Sequence, residues 1–464
     1  MMINDAIADP PRADTPKKVW RRGTLIYTAG GLMALFFWLL WGDFAWSMKE
    51  RAIYPVAQLL LRQFGARDAL VGLLIGSLPM AMAMILGPVI SVHSDRHRGR
   101  WGRRIPYLLI PTPFAAVSMM MLAFSPPLGQ HLHAFLGANS PGASACVLIV
   151  FSVFWSLFEV ATTVANTILG GLINDVVPEE IIGRFFGLFR AVSLVAGIVF
   201  NFSLMGKAEM HYVAIFVVIA AFYGLGFGMM CFRVKEGSYP PVESLPVTKH
   251  GGKFWSGFRA YIRECYAHSY YRWIFLAMTL AAISSVPLNS FSLFYAKSIH
   301  MSMDSYGKYL ALTYGISLAL AYLLGSLADR FHPLRLGIVA MALYALVTLW
   351  GGLFATTNAT FGIAFVGHGV LSGTYGTGAA SLAQRLFPRT KFAQFSSAQG
   401  IIGSFFYMIV PPSVGIFLDL TGHNYRHTFT MSAILATLAV IALLVAHRGF
   451  MKLGGMNNYV APES

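Results

Sequence analysis

The stretch Ser91-Val-His-Ser-Asp95-Arg96, with Arg103 and Arg104 downstream, decides the fold because the chain contains a second copy of its pattern. The second copy is Gly325-Ser-Leu-Ala-Asp329-Arg330, with Arg335 downstream. Each copy follows a long apolar run and opens a basic stretch. A carboxylate at the end of one helix and arginines before the next can pair across the gap and latch the two helices in one conformation. The sequence therefore predicts two such latches in a duplicated, membrane-embedded protein.

Composition independently indicates a membrane protein. The chain is 56% hydrophobic and 11% charged, with a mean hydropathy of +0.62, whereas a soluble domain carries about 25% charged residues. Apolar runs of about 20 residues, long enough to cross a bilayer, occur in two sets of six. The first set lies near 24–48, 69–92, 105–124, 144–172, 182–204 and 211–232, and the second near 273–297, 303–327, 336–356, 360–384, 396–418 and 428–447.

The distribution of basic residues predicts the orientation of these spans. If the amino terminus is cytoplasmic, 25 of the 34 Lys and Arg residues fall in the termini or the even-numbered connections on that side. This asymmetry follows the positive-inside rule. The net charge of +15 is therefore topological, and we expect it to attract anionic lipid headgroups and no nucleic acid.

Polar stretches divide the chain into five predicted parts. Residues 1–23 lack the short apolar core of a cleavable signal peptide and are predicted to be a cytoplasmic tail. The loop 233–271 carries aromatic residues at helical spacing from Phe254 to Tyr271, including Trp255 and Phe258, which predicts a helix on the cytoplasmic membrane surface that tethers the two halves. The remaining parts are a first bundle at 24–232, a second bundle at 272–448 and a cytoplasmic tail at 449–464.

A second repeated motif strengthens the prediction of duplication. Pro178-Glu-Glu-Ile-Ile-Gly183-Arg184-Phe185 precedes the fifth span, and Pro388-Arg-Thr-Lys-Phe-Ala393-Gln394-Phe395 precedes the eleventh. A proline followed five residues later by a small residue suits a short loop that turns into a closely packed helix. The two motifs hold corresponding places in the two halves.

The repeated Asp-Arg motif resembles the cytoplasmic loop motif of the major facilitator superfamily, and this resemblance covers nearly the whole chain. It implies an all-α membrane protein with twelve transmembrane helices in two six-helix bundles, which transports by alternating access. The longer run from Ser94 to Leu109, with Trp101-Gly102-Arg103-Arg104 leading to Pro106-Tyr107, resembles the loop of sucrose carriers and of glycoside/pentoside/hexuronide:cation symporters. Phe44-Ala-Trp46, followed by Pro55 and Gln58, also has the spacing of the first helix in sucrose carriers.

This resemblance implies a sugar or glycoside as the solute and a proton as the coupling ion. Two departures limit it. Ser91 replaces the usual first glycine of the motif, and no carboxylate precedes Asp95 in the second span, where melibiose-type carriers keep their cation-binding pair. Sodium coupling of the melibiose type is therefore not implied.

Three ionisable residues inside predicted spans are candidates for solute binding or proton coupling. A charged group in the hydrocarbon costs about 2.5–3.5 kcal/mol on insertion scales, so such residues usually have a function. Asp43, Glu159 and Arg190 lie in the first, fourth and fifth spans, and Asn166 lies at the predicted depth of Arg190. The alternative is an ion pair between Arg190 and Glu159 that only braces two helices.

The charged run Lys49-Glu50-Arg51 allows two readings. Hydropathy alone ends the first span near Met48 and leaves these residues at the outer surface, where a charge run is usually solvated. The sucrose-carrier spacing instead extends the helix to about residue 62 and puts the charges at mid-depth with Asp43. In that case Asp43 and Glu50 balance Lys49 and Arg51, and the cluster is a candidate polar-solute site.

The second half offers neutral hydrogen-bonding residues in place of charges. Asn289, His368, Tyr375 and Gln399 lie in the seventh, tenth and eleventh spans and can donate and accept hydrogen bonds without a net charge. A lone histidine in a membrane helix more often makes a packing hydrogen bond than a proton relay. We therefore expect this half to contribute hydrogen bonds to the solute.

The sequence contains no enzyme motif, no phosphate loop and no metal-type spacing of its three cysteines, so no catalytic residues, cofactors or metal sites are predicted. The predicted protein is a monomeric secondary transporter in the plasma membrane, or in the inner membrane of a bacterium, with both termini cytoplasmic. Its predicted partners are a small-molecule solute, a coupling cation and the lipid bilayer. The alternatives are a proton-coupled exporter of an amphipathic compound and a transporter-like sensor or assembly factor.

Overall fold

The computed structural model describes residues 19–239, 259, 261–379 and 381–462. Residues 1–18 of the predicted tail and most of the central loop, including Trp255 and Phe258, lie outside the described residues. Twelve long helices dominate the described part of the chain. They are α1 Ala29–Gln63, α2 Asp68–Arg96, α3 Ile105–Ala123, α4 Ala143–Val176, α5 Ile182–Ser203, α6 Tyr212–Arg233, α7 Ser269–Ser298, α8 Met303–Phe331, α9 Pro333–Phe354, α10 Asn358–Gly378, α11 Phe392–Leu420 and α12 His427–Lys452.

These helices confirm the predicted fold class. In the described part of the chain, ten of them are long and apolar enough to cross a membrane by length and composition. The other two are α8, which begins with charged residues, and α10, which is rich in glycine. The largest departure from the predicted spans is α1, which continues to Gln63 although its apolar run ends near Met48.

The chain crosses the bundle twelve times, so its described ends lie on the same side. We call the side that carries Trp20 and Tyr459 the terminal side and the opposite side the far side. A short hairpin, β1 Trp20–Arg22 and β2 Leu25–Tyr27, lies on the terminal side, where Arg22 Nε donates to the carbonyl oxygen of Asn174 at 2.8 Å. On the far side, a helix at Ser125–Leu136 connects α3 to α4.

The two proline motifs form the same local structure. Pro178 precedes a 3₁₀ turn at Glu179–Ile181 that leads into α5, and Pro388 precedes a 3₁₀ turn at Arg389–Lys391 that leads into α11. The Asp-Arg pairs also correspond, since Asp95 and Arg96 end α2 while Asp329 and Arg330 lie in the last turn of α8. The chain is therefore built from two structurally related halves.

Contacts between the halves are concentrated on two helix pairs. Helix α2 of the first half packs along α11, and α5 packs along α8. The segment 261–266, before α7, is helical and attaches to the beginning of α11, where Tyr266 donates to the carbonyl oxygen of Ala398 at 3.0 Å. In the same segment, hydrogen bonds from Gln394 and Lys391 lower the pKa of Glu264 below its usual value.

Candidate functional site

A cavity of about 480 Å³ lies between the two halves. This volume is within the range of about 300–1,000 Å³ typical of small-molecule sites. Its walls come from α1 and α5 of the first half and from α7, α8 and α10 of the second. The polar lining residues are Arg51, Tyr54, Gln58, Arg190, Ser285, Asn289, Ser292, Tyr306, Thr313, Tyr314, Ser317, His368 and Ser372.

The course of α1 resolves the position of the charged run 49–51. Because α1 is continuous from Ala29 to Gln63, Lys49, Glu50 and Arg51 lie in the middle of a helix and not at its outer end. Hydropathy misplaced the end of the helix because the buried polar residues have partners or aromatic neighbours within the bundle. Arg51 and Tyr54 line the cavity, and Glu50 is exposed one turn before Tyr54.

Lys49 does not line the cavity but is packed inside the first half, with 1% of its surface exposed. Its Nζ atom lies 3.4 Å from the centre of the Trp46 ring and 5.3 Å from that of Tyr223. Within the described residues it has no carboxylate oxygen within 4.0 Å. A cation over the face of a tryptophan is attracted by the ring, so Trp46 supplies the close partner that a carboxylate usually provides.

Glu159 and Asp43 are both buried in the first half. The hydroxyl of Tyr54 donates to Glu159 Oε1 at 2.8 Å, and Glu159 is 1% exposed. Tyr54 itself lines the cavity, so one side chain contacts both the cavity and the buried carboxylate. Asp43 accepts a long hydrogen bond of 3.4 Å from Ser47, and its second carboxylate oxygen has no partner within the described residues.

Arg190 faces the other half and not Glu159. Its Nη2 atom donates to Thr377 Oγ1 on α10 at 2.7 Å. The alternative Arg190–Glu159 ion pair is absent from the described contacts, because Glu159 is bound by Tyr54 and the Arg190 side chain extends toward α10. Asn166 is exposed on α4, two turns closer to the terminal side than Glu159.

The second half contributes a hydrogen-bonded histidine. His368 is 2% exposed, and its Nδ1 and Nε2 atoms lie 2.8 Å from the Tyr344 hydroxyl and 3.1 Å from Asn289 Oδ1. The His368 ring also stacks on Phe365. Asn289 is exposed at the cavity, so His368 orients an amide that faces the solute space. Tyr375 lies deeper, beside Gly337, while Gln399 is half-buried on α11 and does not line this cavity.

The first predicted latch is formed on the terminal side and joins three helices of one half. Arg104 Nη2 lies 2.6 Å from Asp95 Oδ1, and Arg103 Nη1 lies 4.0 Å from the same atom. Both arginines also pair with Asp175 near the end of α4, at 2.7 Å from Arg103 and 3.1 Å from Arg104. We call Asp95, Arg103, Arg104 and Asp175 the amino-half latch. Arg96 is exposed beside it.

Glu236, just after α6, completes this cluster. Its carboxylate accepts the backbone N–H groups of Arg103, Arg104 and Ile105 at 3.0, 2.7 and 2.7 Å, which caps the start of α3. Burial alone lowers the pKa of Arg103, but the hydrogen bonds and charge of Asp175 outweigh it and raise that pKa. Neither Asp175 nor Glu236 belongs to the motif that predicted the latch.

The second copy of the motif makes different described contacts. Asp329 lies in the last turn of α8, and its side chain lies outside the described part of the structure. Arg330 is exposed, with its guanidinium 5.4 Å from the Phe331 ring centre. Arg335 Nε lies 3.4 Å from His447 Nε2 on α12. The pairing of Asp329 with these arginines therefore remains a prediction.

A second polar cluster, which sequence reasoning missed, joins the two halves on the far side. Asp68, at the start of α2, is fully buried, and its carboxylate accepts from the Tyr425 hydroxyl at 3.0 Å and lies 2.7 Å from His423 Nδ1. Asp419, near the end of α11, accepts the backbone N–H groups of Asp68 and Ala69, both at 3.0 Å. We call Asp68, Asp419, His423 and Tyr425 the far-side lock.

The helices of the lock approach closely because small residues line their contact. A Cβ atom on Gly415 would lie 2.3 Å from the Asp68 carbonyl oxygen, and one on Gly72 would lie 2.4 Å from that of Pro411. One turn further, Ser77 Oγ donates to the carbonyl oxygen of Met408. Burial and the Asp68 carboxylate raise the pKa of Tyr425, so its hydroxyl remains a donor.

Comparison with known proteins identifies the family. Residues 60–387, more than two thirds of the chain, match the MFS/sugar transport protein family. The chain therefore belongs to this family of the major facilitator superfamily, and it is a membrane transporter of a small molecule and not an enzyme.

Individual relatives are more distant. The sucrose transport protein SUT5 of Oryza sativa subsp. indica is 26% identical over 163 residues, which cover 33% of this chain and 29% of the rice protein. The chain thus aligns with less than a third of the length of this curated relative. The SUT5 protein of subsp. japonica gives the same values.

Solved structures share the fold. A bacterial homologue of the human lysosomal transporter Spinster, inward-facing and unoccupied, has a TM-score of 0.62 at 16% identity, covering 93% of this chain and 98% of that one. The D-xylose-proton symporter has a TM-score of 0.60 at 14% identity, with the same coverages. At these identities the likeness establishes the fold alone.

Proposed function

We propose that the protein is a proton-coupled symporter that carries a sugar or glycoside through the central cavity by alternating access. The cavity volume and its many neutral hydrogen-bonding groups suit a polar, hydroxyl-rich solute. The family and the partial similarity to a sucrose carrier support the same class of solute.

The observation that carries the coupling is the hydrogen bond from Tyr54 to Glu159. While Glu159 is ionised, its carboxylate accepts the hydrogen bond that the Tyr54 hydroxyl donates, so this donor is not available to a solute. A proton on Glu159 removes the need for that donor and frees the Tyr54 hydroxyl to bind a solute in the cavity. Proton binding and solute binding then favour one another, as coupling between two sites requires.

Asp43 is the second candidate for the proton carrier. It is buried, and one carboxylate oxygen has no partner within the described residues, which makes the neutral acid the easier form to bury. Its described hydrogen bond comes from Ser47, which does not line the cavity, whereas Glu159 is bonded to the cavity residue Tyr54. We therefore assign the coupling to Glu159 in preference to Asp43.

The state of the molecule fits one step of such a cycle. The lock and the α2–α11 contact close the far side, and the similar Spinster homologue is inward-facing. The positive-inside rule supports the terminal side as the cytoplasmic side of a plasma or bacterial inner membrane. We propose a monomer, since each chain has its own cavity between its own two halves.

Reconstitution into liposomes with an imposed pH gradient tests the proposal. The test panel contains neutral sugars and sugars with an acidic group. Wild-type protein should accumulate at least one labelled sugar of this panel when the medium outside the liposomes has the lower pH. Glu159→Gln should still exchange the solute across equal gradients but fail to accumulate it, because each uphill cycle needs a protonation change. Thr163→Val, one turn away on α4, is the matched control and should accumulate normally.

Three results contradict the proposal or its assignment of the coupling residue. Solute loss from vesicles driven by the same gradient indicates an exporter, and binding without flux indicates a sensor. Unimpaired uphill uptake by both Glu159→Gln and Asp43→Asn removes these carboxylates from the coupling role.

A further inference from the structure

A hydrogen-bonded chain leads from the interior of the second half to the wall of the central cavity. It links Tyr344 on α9, His368 on α10 and Asn289 on α7. Tyr344 and His368 are 0% and 2% exposed, whereas Asn289 is exposed at the cavity. Tyr344 lines a neighbouring cavity of about 210 Å³, which shares Ser285 and Ser372 with the central one. Tyr344 can therefore act on a solute in the central cavity only through the residues between them.

The His368 imidazole is neutral in this position. In the described structure its two ring nitrogens form hydrogen bonds with the Tyr344 hydroxyl and the Asn289 amide, which are uncharged. An imidazolium buried without an anion would be costly. The ring lies nearly parallel to that of Phe365, with 12° between the planes. Because a neutral imidazole donates with one nitrogen and accepts with the other, the chain has one of two directions.

The Tyr344 hydroxyl sets the direction of the chain. Its single hydrogen has two acceptors within reach, His368 Nδ1 at 2.8 Å and the Ser284 carbonyl oxygen at 3.3 Å. Hydrogen bonds from a hydroxyl to an oxygen are about 2.5–3.0 Å long, so the carbonyl is too distant for a standard bond. The hydroxyl therefore donates to Nδ1. It follows that Nε2 of His368 carries the ring hydrogen.

This direction determines which end of the Asn289 amide faces the solute. The Nε2–H group of His368 donates to Asn289 Oδ1 at 3.1 Å. An amide carries its acceptor and its two donors at opposite ends, so the Nδ2 group is turned away from His368. No described hydrogen bond uses Nδ2, and Asn289 lines the central cavity, so its two N–H donors are available to a solute. The opposite direction of the chain would present the amide oxygen instead.

We propose that Tyr344 is a positioning residue that fixes His368 as the Nε2–H tautomer and thereby points the N–H groups of Asn289 into the central cavity. The solute group bound by Asn289 is then a hydrogen-bond acceptor, such as a ring oxygen, a glycosidic oxygen or the oxygen of a hydroxyl group. This inference rests on the proposed function, because it states how the same cavity recognises its solute.

Solid-state NMR tests the tautomer without any solute. Protein with isotope-labelled histidine ring nitrogens is studied in lipid bilayers, and the resonances that are lost in His368→Gln belong to His368. These should show a protonated Nε2 and an unprotonated Nδ1. Tyr344→Phe removes the donor to Nδ1, so a second form with a protonated Nδ1 should appear. A single Nδ1–H form in the wild-type protein, or unchanged His368 resonances in Tyr344→Phe, would overturn the inference.

Binding measurements test whether the chain acts on the solute. The probe is labelled D-glucose, D-galactose or sucrose, whichever the wild-type protein accumulates. Tyr344→Phe should bind it roughly fivefold more weakly, the effect of about one hydrogen bond, and His368→Leu should bind it at least as weakly. His368→Gln should bind better than His368→Leu, because the new amide can still donate to Asn289.

A double variant and a matched control distinguish positioning from a general effect on folding. In the His368→Leu background, Tyr344→Phe should cause no further loss, because its route to Asn289 is gone. Tyr407→Phe should bind normally, since the Tyr407 hydroxyl lines the same neighbouring cavity but donates to the Ala282 carbonyl oxygen. Additive losses in the double variant would show that Tyr344 supports the fold and not Asn289, and would overturn the inference.

The outcomes also separate this inference from the proposed function. Proton-driven sugar uptake by a protein whose His368 carries its hydrogen on Nδ1 overturns the inference and leaves the symporter proposal standing. A fixed Nε2–H tautomer that depends on Tyr344, without transport of any sugar, contradicts the proposed function and supports the positioning by Tyr344.

Discussion

The two ends of α2 are held by charged clusters that have different roles. At the terminal side, Asp95 belongs to the amino-half latch, whose partners Arg103, Arg104 and Asp175 all come from the same half. At the far side, Asp68 belongs to the lock, whose partners come from the end of α11 and the loop after it. The latch therefore shapes one bundle, whereas the lock joins two. We therefore expect opening of the far side to break the lock, whereas the latch can stay intact.

Asp95 and Asp68 differ in burial and therefore in the free energy that their contacts contribute. The Asp95 side chain is 54% exposed, and ion pairs with such exposed groups contribute about 0–1 kcal/mol. Asp68 is fully buried, and removal of one partner from a buried, hydrogen-bonded charge pair costs about 2–5 kcal/mol. We therefore expect a change at Asp68 to alter the population of closed molecules far more than a change at Asp95.

The largest effect is expected for Asp68→Asn. The amide lacks the charge that faces Arg62 and His423, so the closed far side loses about 3 kcal/mol, a shift of roughly a hundredfold in population. A cysteine introduced at Leu310, in the cavity on α8, should then react roughly a hundredfold faster with a membrane-impermeant maleimide added from the far side. Asp304→Asn is the matched control, because Asp304 lies in the first turn of α8 as Asp68 does in α2, but its described ion pair is with Lys308 of its own helix.

Tyr425→Phe should have a smaller effect in the same assay. The substitution removes one hydroxyl donor to the Asp68 carboxylate and leaves the charges in place. A hydrogen bond to a charged group contributes about 1.5–3 kcal/mol, so we expect labelling of Leu310→Cys to accelerate by roughly tenfold. Unchanged labelling in Tyr425→Phe would show that the hydroxyl does not contribute to closure.

The smallest effect on closure is expected for the latch. Asp95→Asn and Arg104→Ala should leave solute binding and far-side labelling unchanged but slow transport several-fold. Without these ion pairs, α2 can move separately from α3 and α4. Breaking the lock then no longer moves the first bundle as one body, and transport slows. Initial uptake rates and equilibrium binding, measured on the same preparation, check this prediction. Arg96→Gln, beside the latch, serves as the control, and a loss of binding in Asp95→Asn would refute this role.

The sequence predicted that Asp95 pairs with Arg103 and Arg104 because these residues lie close together in a repeated motif, but it predicted neither the contribution of Asp175 nor the lock. Asp68 and Asp419 are 351 positions apart, and neither belongs to a motif. The repeat did contain a signal, since an aspartate lies in the first turn of each of the two helices that end with an Asp-Arg pair. The caps of the two helices differ. Ser302, which directly precedes α8, caps the start of that helix, whereas Asp419 of the other half caps the start of α2. Such long-range capping has no local sequence pattern.

The candidate site was also predictable only in part from the sequence. Hydropathy placed eleven of the spans well but ended α1 too early. Charged residues such as Asp43 and Lys49 lower the hydropathy of this segment, although both are buried within one continuous helix. Of the four neutral residues named for the second half, Asn289 and His368 line the cavity, whereas Tyr375 and Gln399 do not. That His368 contacts Asn289, whereas Arg190 contacts Thr377 and not Glu159, depends on helix rotation, which one sequence does not specify.

The distance across the lock tests most directly the claim that the lock, and not the latch, holds the far side closed. Spin labels at Arg67→Cys and Asn424→Cys, in a background with Cys146, Cys231 and Cys265 replaced by alanine, report this distance by double electron–electron resonance in lipid nanodiscs. If the lock holds the far side closed, the unsubstituted and Asp95→Asn proteins should show one short distance, and Asp68→Asn should show an additional longer distance. A longer distance in Asp95→Asn, together with an unchanged distance in Asp68→Asn, would contradict it.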